Sequence, residues 1–379
     1  MTVVLLAGGG TAGHVTPALA TAEALRSYDP ALDVEFVGTA TGLESSMVPA
    51  AGWELHQVAA APLLRRLSPQ TARLPFVVLR SARSLARLIR RREVAAACVF
   101  GGYVSGPLAL AARLAHIPLL IHEQNAAPGL ANRIAARWAW TVAVSVPGTQ
   151  RHFPSSARTV VTGNPVRGDL LRADLASLRP RAMAAMGLDP DRRTVLAFGG
   201  SLGARRINDA LLEATWPNPA SVQVLHVAGA RDHARVAAAW AGADPALLVR
   251  CEPFLEDMTQ AYAAADVVVC RAGASTIAEL TVVGLPSVLV PYPHAAADEQ
   301  TANARALVDA GAATMVADPD LDGAGLVAAV APLLTDDTRR AEVAAAARGL
   351  GRPDAAARLA ELLAAAAGSR PATAVEGRP

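Results

Sequence analysis

Short apolar runs recur along the whole chain, each followed by glycine or polar residues and then by a stretch of helical character. The runs are Val3–Ala7, Val34–Val37, Ala96–Phe100, Leu119–His122, Thr141–Val144 and Thr159–Thr162, then Val195–Phe198, Val222–Ala228, Leu248–Cys251, Val267–Cys270, Ser287–Val290 and Ala313–Val316. Strands that alternate with helices predict parallel sheets, so the fold class is α/β and doubly wound. A break falls near Gly163-Asn164-Pro165-Val166-Arg167, where a charged helical stretch precedes a fresh strand, glycine turn and helix start. The expected domains are therefore 1–163 and 164–352. A helix over 353–367, with Asp354 placed to cap it, is expected to return to the first domain, and 368–379 reads as a disordered tail.

Two segments carry the same local grammar at the head of each half. Thr2-Val3-Val4-Leu5-Leu6-Ala7 leads into Gly8-Gly9-Gly10-Thr11-Ala12-Gly13-His14, and Thr194-Val195-Leu196-Ala197-Phe198 leads into Gly199-Gly200-Ser201-Leu202-Gly203-Ala204-Arg205. Glycines let a backbone approach a ligand closely, and the free N–H groups of a helix start attract phosphate. Two such units predict two Rossmann-like domains facing a central cleft, with chemistry that involves phosphates.

Composition narrows this little. Hydrophobic residues make up 52% of the 379, enough for sizeable cores, while the 4% aromatic content suits α/β layers better than an all-β fold. All 35 basic residues are arginine, and the formal net charge of +2 does not indicate a general nucleic-acid binder. Cys98, Cys251 and Cys270 are far apart, with no metal-binding spacing. Asp189-Pro190-Asp191 and Asp318-Pro319-Asp320 read as turns rather than cation sites. The uncharged stretch from Val94 to Ala112 is interrupted by Gly101, Gly102, Gly106 and Pro107, so strand, glycine loop and helix explain it better than a membrane span. No signal peptide is expected at the N-terminus.

The candidate chemistry sits at strand ends. Gly8-x-Gly10-x-x-Gly13 has the letters of a dinucleotide fingerprint, but the second strand ends Phe36-Val37-Gly38-Thr39, so Asp33 and Glu35 are not where a ribose-binding acid belongs. His14 continues the loop and is expected to point into the cleft, as a catalytic or substrate-contact group. Gly101-Gly102-Tyr103-Val104-Ser105-Gly106 offers a second wall beside it. His122-Glu123-Gln124-Asn125 puts four polar residues at the C-terminal end of a buried strand, where α/β folds bind ligands. In the second half, Cys270-Arg271-Ala272-Gly273-Ala274-Ser275-Thr276-Ile277-Ala278-Glu279 reads as a helix start for a diphosphate, with Glu279 one turn in to accept from a ribose diol.

One segment is unlike the rest. From Pro62 to Arg92 there are nine arginines and no acid. Leu74, Val77, Val78, Leu85, Leu88 and Ile89 share one helical face, expected to pack on the sheet. Phe76, Leu79, Arg80, Arg83 and Arg87 lie on the other, an apolar tip followed by arginines that suits an anionic bilayer surface.

Taken together, the motifs Gly9–His14, Gly101–Pro107, His122–Asn125, Gly163–Arg167, Gly199–Ala204 and Cys270–Thr276 closely resemble the MurG family of bacterial glycosyltransferases, over nearly the whole chain. The resemblance implies a GT-B fold. It implies an inverting transfer of GlcNAc from UDP-GlcNAc to undecaprenyl-diphosphate-MurNAc-pentapeptide (lipid I), forming lipid II through a β1,4 bond. It implies a peripheral enzyme on the cytoplasmic face of the membrane, with no nucleic acid among its partners and a place beside other cell-wall and division proteins; no motif in the chain calls for a cofactor or a divalent metal ion. Carried over by motif, Ala274, Ser275, Thr276, Ile277, Ala278 and Glu279 hold the UDP ribose and diphosphate, and Leu255 offers backbone atoms to uracil. Ser201 and Arg167 face the diphosphate, Gln300 and Asn125 the GlcNAc, and Thr11, Ala12 and Gly13 line the acceptor side. Ala12 stands where the family commonly has glycine. An inverting transfer needs a base for the acceptor hydroxyl: His14 is the first candidate and Glu123 the second. Another GT-B UDP-sugar transferase, an NAD(P)-dependent oxidoreductase and a non-catalytic cell-wall scaffold are the alternative readings.

Overall fold

The computed structural model describes residues 2–59, 69–200 and 203–368, with the backbone alone for 69–74. It divides into two compact units, residues 2–167 together with 352–368, and residues 168–351. The first unit thus runs past Gly163 to Arg167.

In chain order the first unit comprises β1 (Thr2–Ala7), α1 (Ala12–Tyr28), β2 (Leu32–Gly38), α2 (Glu44–Ala50), β3 (Glu54–Gln57), α3 (Pro69–Arg91), β4 (Val94–Val99), α4 (Ser105–Ala115), β5 (Leu119–Glu123), α5 (Leu130–Ala135), β6 (Thr141–Val144) and β7 (Thr159–Val161). The seven strands lie in the order β3-β2-β1-β4-β5-β6-β7, all parallel. The order reverses between β1 and β4, where Val4 faces Val34 on one side and Ala96 on the other. Loops that leave two strands at such a switch point diverge and open a crevice at the carboxyl end of the sheet.

Both faces of this sheet are covered, and so its central strands are apolar throughout rather than alternating. Leu85, Ala86 and Ile89 of α3 pack with Leu5 and Val99 on one face. On the other, Leu359, Ala360, Leu363 and Ala364 join Val4, Leu6, Val15 and Leu25. Those four alanines and leucines belong to α15 (Ala355–Ala366) and repeat at the helical spacing of one apolar stripe. That stripe ties the C-terminal helix to α1. Asp354 holds the N-cap position but makes no capping hydrogen bond.

The second unit comprises α6 (Gly168–Arg172), α7 (Leu175–Ala185), β8 (Arg193–Phe198), α8 (Arg205–Glu213), β9 (Val222–Val227), α9 (His233–Trp240), β10 (Leu248–Glu252), α10 (Met258–Ala264), β11 (Val267–Cys270), α11 (Ala274–Val283), β12 (Ser287–Leu289), α12 (Glu299–Val308), β13 (Thr314–Met315), α13 (Gly323–Thr335) and α14 (Asp337–Leu350). Its strand order β10-β9-β8-β11-β12-β13 reverses between β8 and β11, the same device again. Val195, Ala197, Val267 and Val269 fill its core with Ile207 and Leu211 of α8 and Leu326 and Val330 of α13.

One strand was not foreseen. β3, Glu-Leu-His-Gln, is an edge strand whose residues are exposed or half-buried, so it lacks the apolar run that marks the others. The stretch from Val94 to Ala112 is β4, a glycine loop and most of α4. No helix among the described residues is long and apolar enough to cross a membrane.

Candidate active site

At the first switch point the loops after β1 and β4 are pressed together. Phe100 N–H donates to the Ala7 carbonyl at 2.7 Å. A Cβ at Gly102, whose φ is +82°, would stand 2.1 Å from the Gly9 carbonyl oxygen, so only glycine permits this approach. Ala12 is the first residue of α1 and has no positive φ, so its methyl costs no backbone strain. Thr11 occupies the N-cap position, yet its hydroxyl lies 3.1 Å from His14 Nδ1 instead of capping the helix.

His14, in the first turn of α1, is half-buried. Its Nδ1 lies 3.1 Å from the Gly9 carbonyl oxygen. A carbonyl only accepts, so Nδ1 carries the proton and Nε2 carries the lone pair. Burial lowers the pKa of the ring, against the Gly9 bond and the Glu44 charge, which raise it. The neutral ring is therefore the resting form at pH 7. A Cβ at Gly101 would stand 2.8 Å from Nε2, so that glycine keeps the ground beside the lone pair open.

Glu44 was not foreseen. The first residue of α2, it is buried to 1% exposure under the glycine loop. Its carboxylate accepts from Gly10 N–H at 2.8 Å, Thr39 N–H at 2.9 Å and the Thr39 hydroxyl at 2.8 Å. Burial alone would raise this carboxyl, but the donors outweigh it and hold its pKa below the usual value. In the sequence, an acid opening a helix reads as a partner of the helix dipole, so nothing singled it out.

The polar residues at and just past the end of β5 are tied into the fold. His122 Nε2 donates to the Gly163 carbonyl at 3.0 Å, and Gln124 Nε2 to the Phe100 carbonyl at 2.9 Å. Glu123 is buried and accepts from Asn125 N–H, Gly129 N–H and Asn132 Nδ2 at 3.0, 3.1 and 2.8 Å, which engages both of its oxygens. Burial raises its pKa in spite of these donors. Asn125 is half-buried at the start of the following loop, and Arg167 is the last residue of the first unit.

In the second unit, α11 springs from Gly273 at the carboxyl end of β11, and the backbone of Ala274, Ser275 and Thr276 forms its first turn. Ile277, Ala278 and Glu279 follow, all half-buried. The Tyr262 hydroxyl, on the adjacent α10, donates to Glu279 Oε2 at 2.7 Å. Tyr262 is 2% exposed, so its hydroxyl needs a partner, and the pair fixes the direction of the carboxylate. A tyrosine inside an alanine-rich helix was the available signal. Arg271 ties the strand ends together: its Nη1 donates to the Val290 and Pro291 carbonyls at 3.2 and 3.1 Å, and it pairs with Asp318. Gln300 Oε1 accepts from Tyr292 N–H at 2.9 Å, which leaves its NH₂ as the donor end. Leu255 is half-buried in the loop between β10 and α10. Ser201 lies outside the described residues.

Away from these loops, Phe76 on α3 is 76% exposed and Arg80, Arg83 and Arg87 are exposed, while Ala82, Leu85, Ala86 and Ile89 are buried. Leu79, Val77 and Val78 are half-buried, so the outward apolar tip rests on Phe76 more than on Leu79. Leu63, Leu64 and Leu67 lie outside the described residues. Glu35, Glu54 and His56 bring three ligand atoms together, but Glu35 is already held by Arg92 and, at 2.6 Å, by His56 Nε2.

Two buried histidines make stability depend on pH. Burial lowers His122 and His226 to about 4 each, from 6.5. His226 accepts from Trp240 Nε1 at 3.0 Å and faces Asn208 Oδ1 at 2.9 Å, so it is neutral in the fold. Below pH 6.5 the unfolded chain takes up a proton that the folded unit refuses, and stability falls as pH drops towards 4. Each histidine contributes a slope of at most about 1.4 kcal/mol per pH unit. Urea unfolding at pH 7, 6 and 5 is expected to show both units weakening. A flat response would mean that these rings take up protons while folded.

Two all-parallel Rossmann-like sheets, each with a glycine loop at its switch point, make this a GT-B glycosyltransferase fold. The glycosyltransferase family 28 N-terminal domain matches residues 4–144 and the family 28 C-terminal domain residues 194–359. The UDP-N-acetylglucosamine–N-acetylmuramyl-(pentapeptide) pyrophosphoryl-undecaprenol N-acetylglucosamine transferase of Frankia casuarinae is 43% identical over 97% of this chain and 96% of its own. The enzyme of the same name from Streptomyces coelicolor is 41% identical over 93% and 94%. The crystal structure of Acinetobacter baumannii MurG superposes with a TM-score of 0.75 at 33% identity, covering 96% of this chain and 99% of that one. The chain belongs to the MurG family of glycosyltransferase family 28.

Proposed function

We propose that the chain transfers GlcNAc from UDP-GlcNAc to the MurNAc of undecaprenyl-diphosphate-MurNAc-pentapeptide, making lipid II. The observation that carries this reading is identity above 40% with N-acetylglucosamine transferases so named, along more than nine-tenths of their length and of this chain. In this reading the first turn of α11 and Glu279 hold the UDP diphosphate and ribose, and Leu255 meets uracil. Gln300 and Asn125 meet the GlcNAc, and Ser201 and Arg167 meet the diphosphate. Thr11, Ala12 and Gly13 line the acceptor side.

His14 acts as the base. Its Nε2 takes the proton of the acceptor C4 hydroxyl while that oxygen bonds to the anomeric carbon from the face opposite UDP. The bond from the anomeric carbon to the β-phosphate oxygen breaks, and UDP leaves with the electron pair, so the configuration inverts. Helix N-termini stabilise the departing diphosphate as preorganised dipoles. Glu123 is the weaker candidate, because three donors already occupy its oxygens. Incubation with labelled UDP-GlcNAc and a lipid I analogue is expected to yield a labelled disaccharide lipid. Absence of that product, with transfer to another acceptor or from another UDP-sugar, would assign a different member of the GT-B class.

The acceptor's polyprenyl tail stays in the bilayer, so in this reading the enzyme works at the membrane surface, on its cytoplasmic face. The exposed Phe76 and the arginines at 80, 83 and 87 form the docking face in this reading, with Leu79 at its edge. Each arginine near an anionic surface contributes about 1 kcal/mol. Co-sedimentation with anionic vesicles is expected to fall for Phe76→Ser and for Arg80→Glu/Arg83→Glu/Arg87→Glu, and to weaken with salt. Unaltered binding in both variants would move the contact elsewhere.

A further inference from the structure

One peptide group joins two side chains that belong to different helices. The Gly9–Gly10 peptide presents its carbonyl to His14 Nδ1 at 3.1 Å and its N–H to Glu44 Oε2 at 2.8 Å. Glu44 is ionised at neutral pH and buried, and it has no arginine or lysine partner among the described residues. Its remaining bonds go to Thr39, whose hydroxyl in turn accepts from Gly42 N–H at 3.0 Å. The site is built around the carboxylate: a Cβ at Gly38 or at Gly42 would strike the Glu44 side chain at 2.4 and 2.1 Å. A buried acid so closely housed is more than a solvated helix start needs.

We propose that Glu44 is a positioning residue that acts on His14 through the Gly9–Gly10 peptide, holding the ring in the tautomer whose Nε2 lone pair is bare. This rests on the reading of His14 as the base. A negative charge on the N–H side of a peptide draws its dipole and makes the carbonyl a stronger acceptor, because hydrogen bonds in a chain polarise one another. The carbonyl then fixes the proton on Nδ1 and fixes the plane of the ring. In hydrolytic triads a carboxylate does this directly to the imidazole; here a peptide stands between them. The arrangement also offsets a local cost. His14 lies at the positive end of α1, where the dipole disfavours an imidazolium. The Glu44 charge opposes that as the ring takes the acceptor's proton. Among the described residues Thr11, Tyr103 and Val104 also stand against this loop, Tyr103 3.4 Å from where a Cβ on Gly10 would stand, and none of the three is an acid that could replace Glu44.

The test uses the full chain with ¹⁵N-labelled histidine, comparing wild type, Glu44→Gln and Thr39→Val. The wild type is expected to show His14 protonated on Nδ1. In Glu44→Gln the tautomer is expected to shift towards Nε2–H and the His14 pKa to fall. kcat is expected to drop about tenfold or more, the acid limb of kcat/KM to move to lower pH, and KM for UDP-GlcNAc to stay unchanged. Thr39→Val removes another bond to the same carboxylate but leaves its charge and the Gly10 contact, so the tautomer is expected to persist. An unchanged His14 tautomer and pKa in Glu44→Gln would overturn the proposal, as would an equal shift in Thr39→Val, which would mean that loop shape alone positions the ring. A shifted tautomer with undiminished kcat would leave the relay standing and remove His14 as the base.

Discussion

Replacing His14 with alanine is expected to lower kcat by about 10²–10⁴-fold, the usual loss when general-base help is removed. UDP-GlcNAc affinity is expected to stay close to wild type, because His14 stands in the first unit while α11 and Glu279 stand in the second. The expectation rests on atoms. Nδ1 is engaged by the Gly9 carbonyl, Nε2 has no hydrogen-bond partner among the described residues, and Gly101 leaves room beside it. Burial holds the ring below its ordinary pKa, so the neutral form, which can accept a proton, is the one present at pH 7. Steady-state kinetics with calorimetry on the same variant separate the two quantities. A fall in donor affinity without a fall in kcat would place His14 in the donor site and return Glu123 to first candidate.

Glu279→Ala is expected to weaken UDP binding by roughly 1.5–3 kcal/mol, about 10- to 150-fold in Kd, because a charge-assisted hydrogen bond to the ribose is lost. The substitution also removes the acceptor to which the buried Tyr262 hydroxyl donates, Glu279 Oε2. Tyr262→Phe therefore separates contact from orientation. It keeps the carboxylate but removes the hydrogen bond that orients it, and is expected to cost about 1 kcal/mol, near fivefold. Calorimetric titration with UDP reads both. Equal affinity in wild type and Glu279→Ala would remove the ribose from this carboxylate, whatever Tyr262→Phe does.

The buried strands were legible because a parallel sheet covered on both faces needs uninterrupted apolar runs, and Val3–Ala7 or Val267–Cys270 read as nothing else. β3 was not, because Glu54–Gln57 is a half-exposed edge held by its pairing to β2 rather than by its own composition. The glycine loops were legible for a similar reason: positive φ and close backbone approach demand glycine at Gly102 whatever surrounds it. The polar cluster after β5 was legible as a place but not as a set of roles. Its residues look alike in sequence, yet His122, Glu123 and Gln124 are buried against backbone groups while Asn125 is half-buried at the start of the loop. On α3 the arginines and Phe76 fall outward as periodicity predicts, whereas Leu79 is drawn halfway in by its neighbours.

What the sequence determined by itself is therefore the part governed by local rules: alternating strands and helices, two glycine loops, a helix start with an acid one turn in, and a basic amphipathic segment. Each follows from backbone sterics or from periodicity, which act within a few residues. Only the tertiary structure decided which polar groups meet. Glu44 reaches Gly10 across 34 residues, and Tyr262 reaches Glu279 across 17. A buried carboxylate or hydroxyl takes whichever donor or acceptor the packed sheets bring within about 3 Å. That depends on strand order and loop direction, which no window of sequence contains.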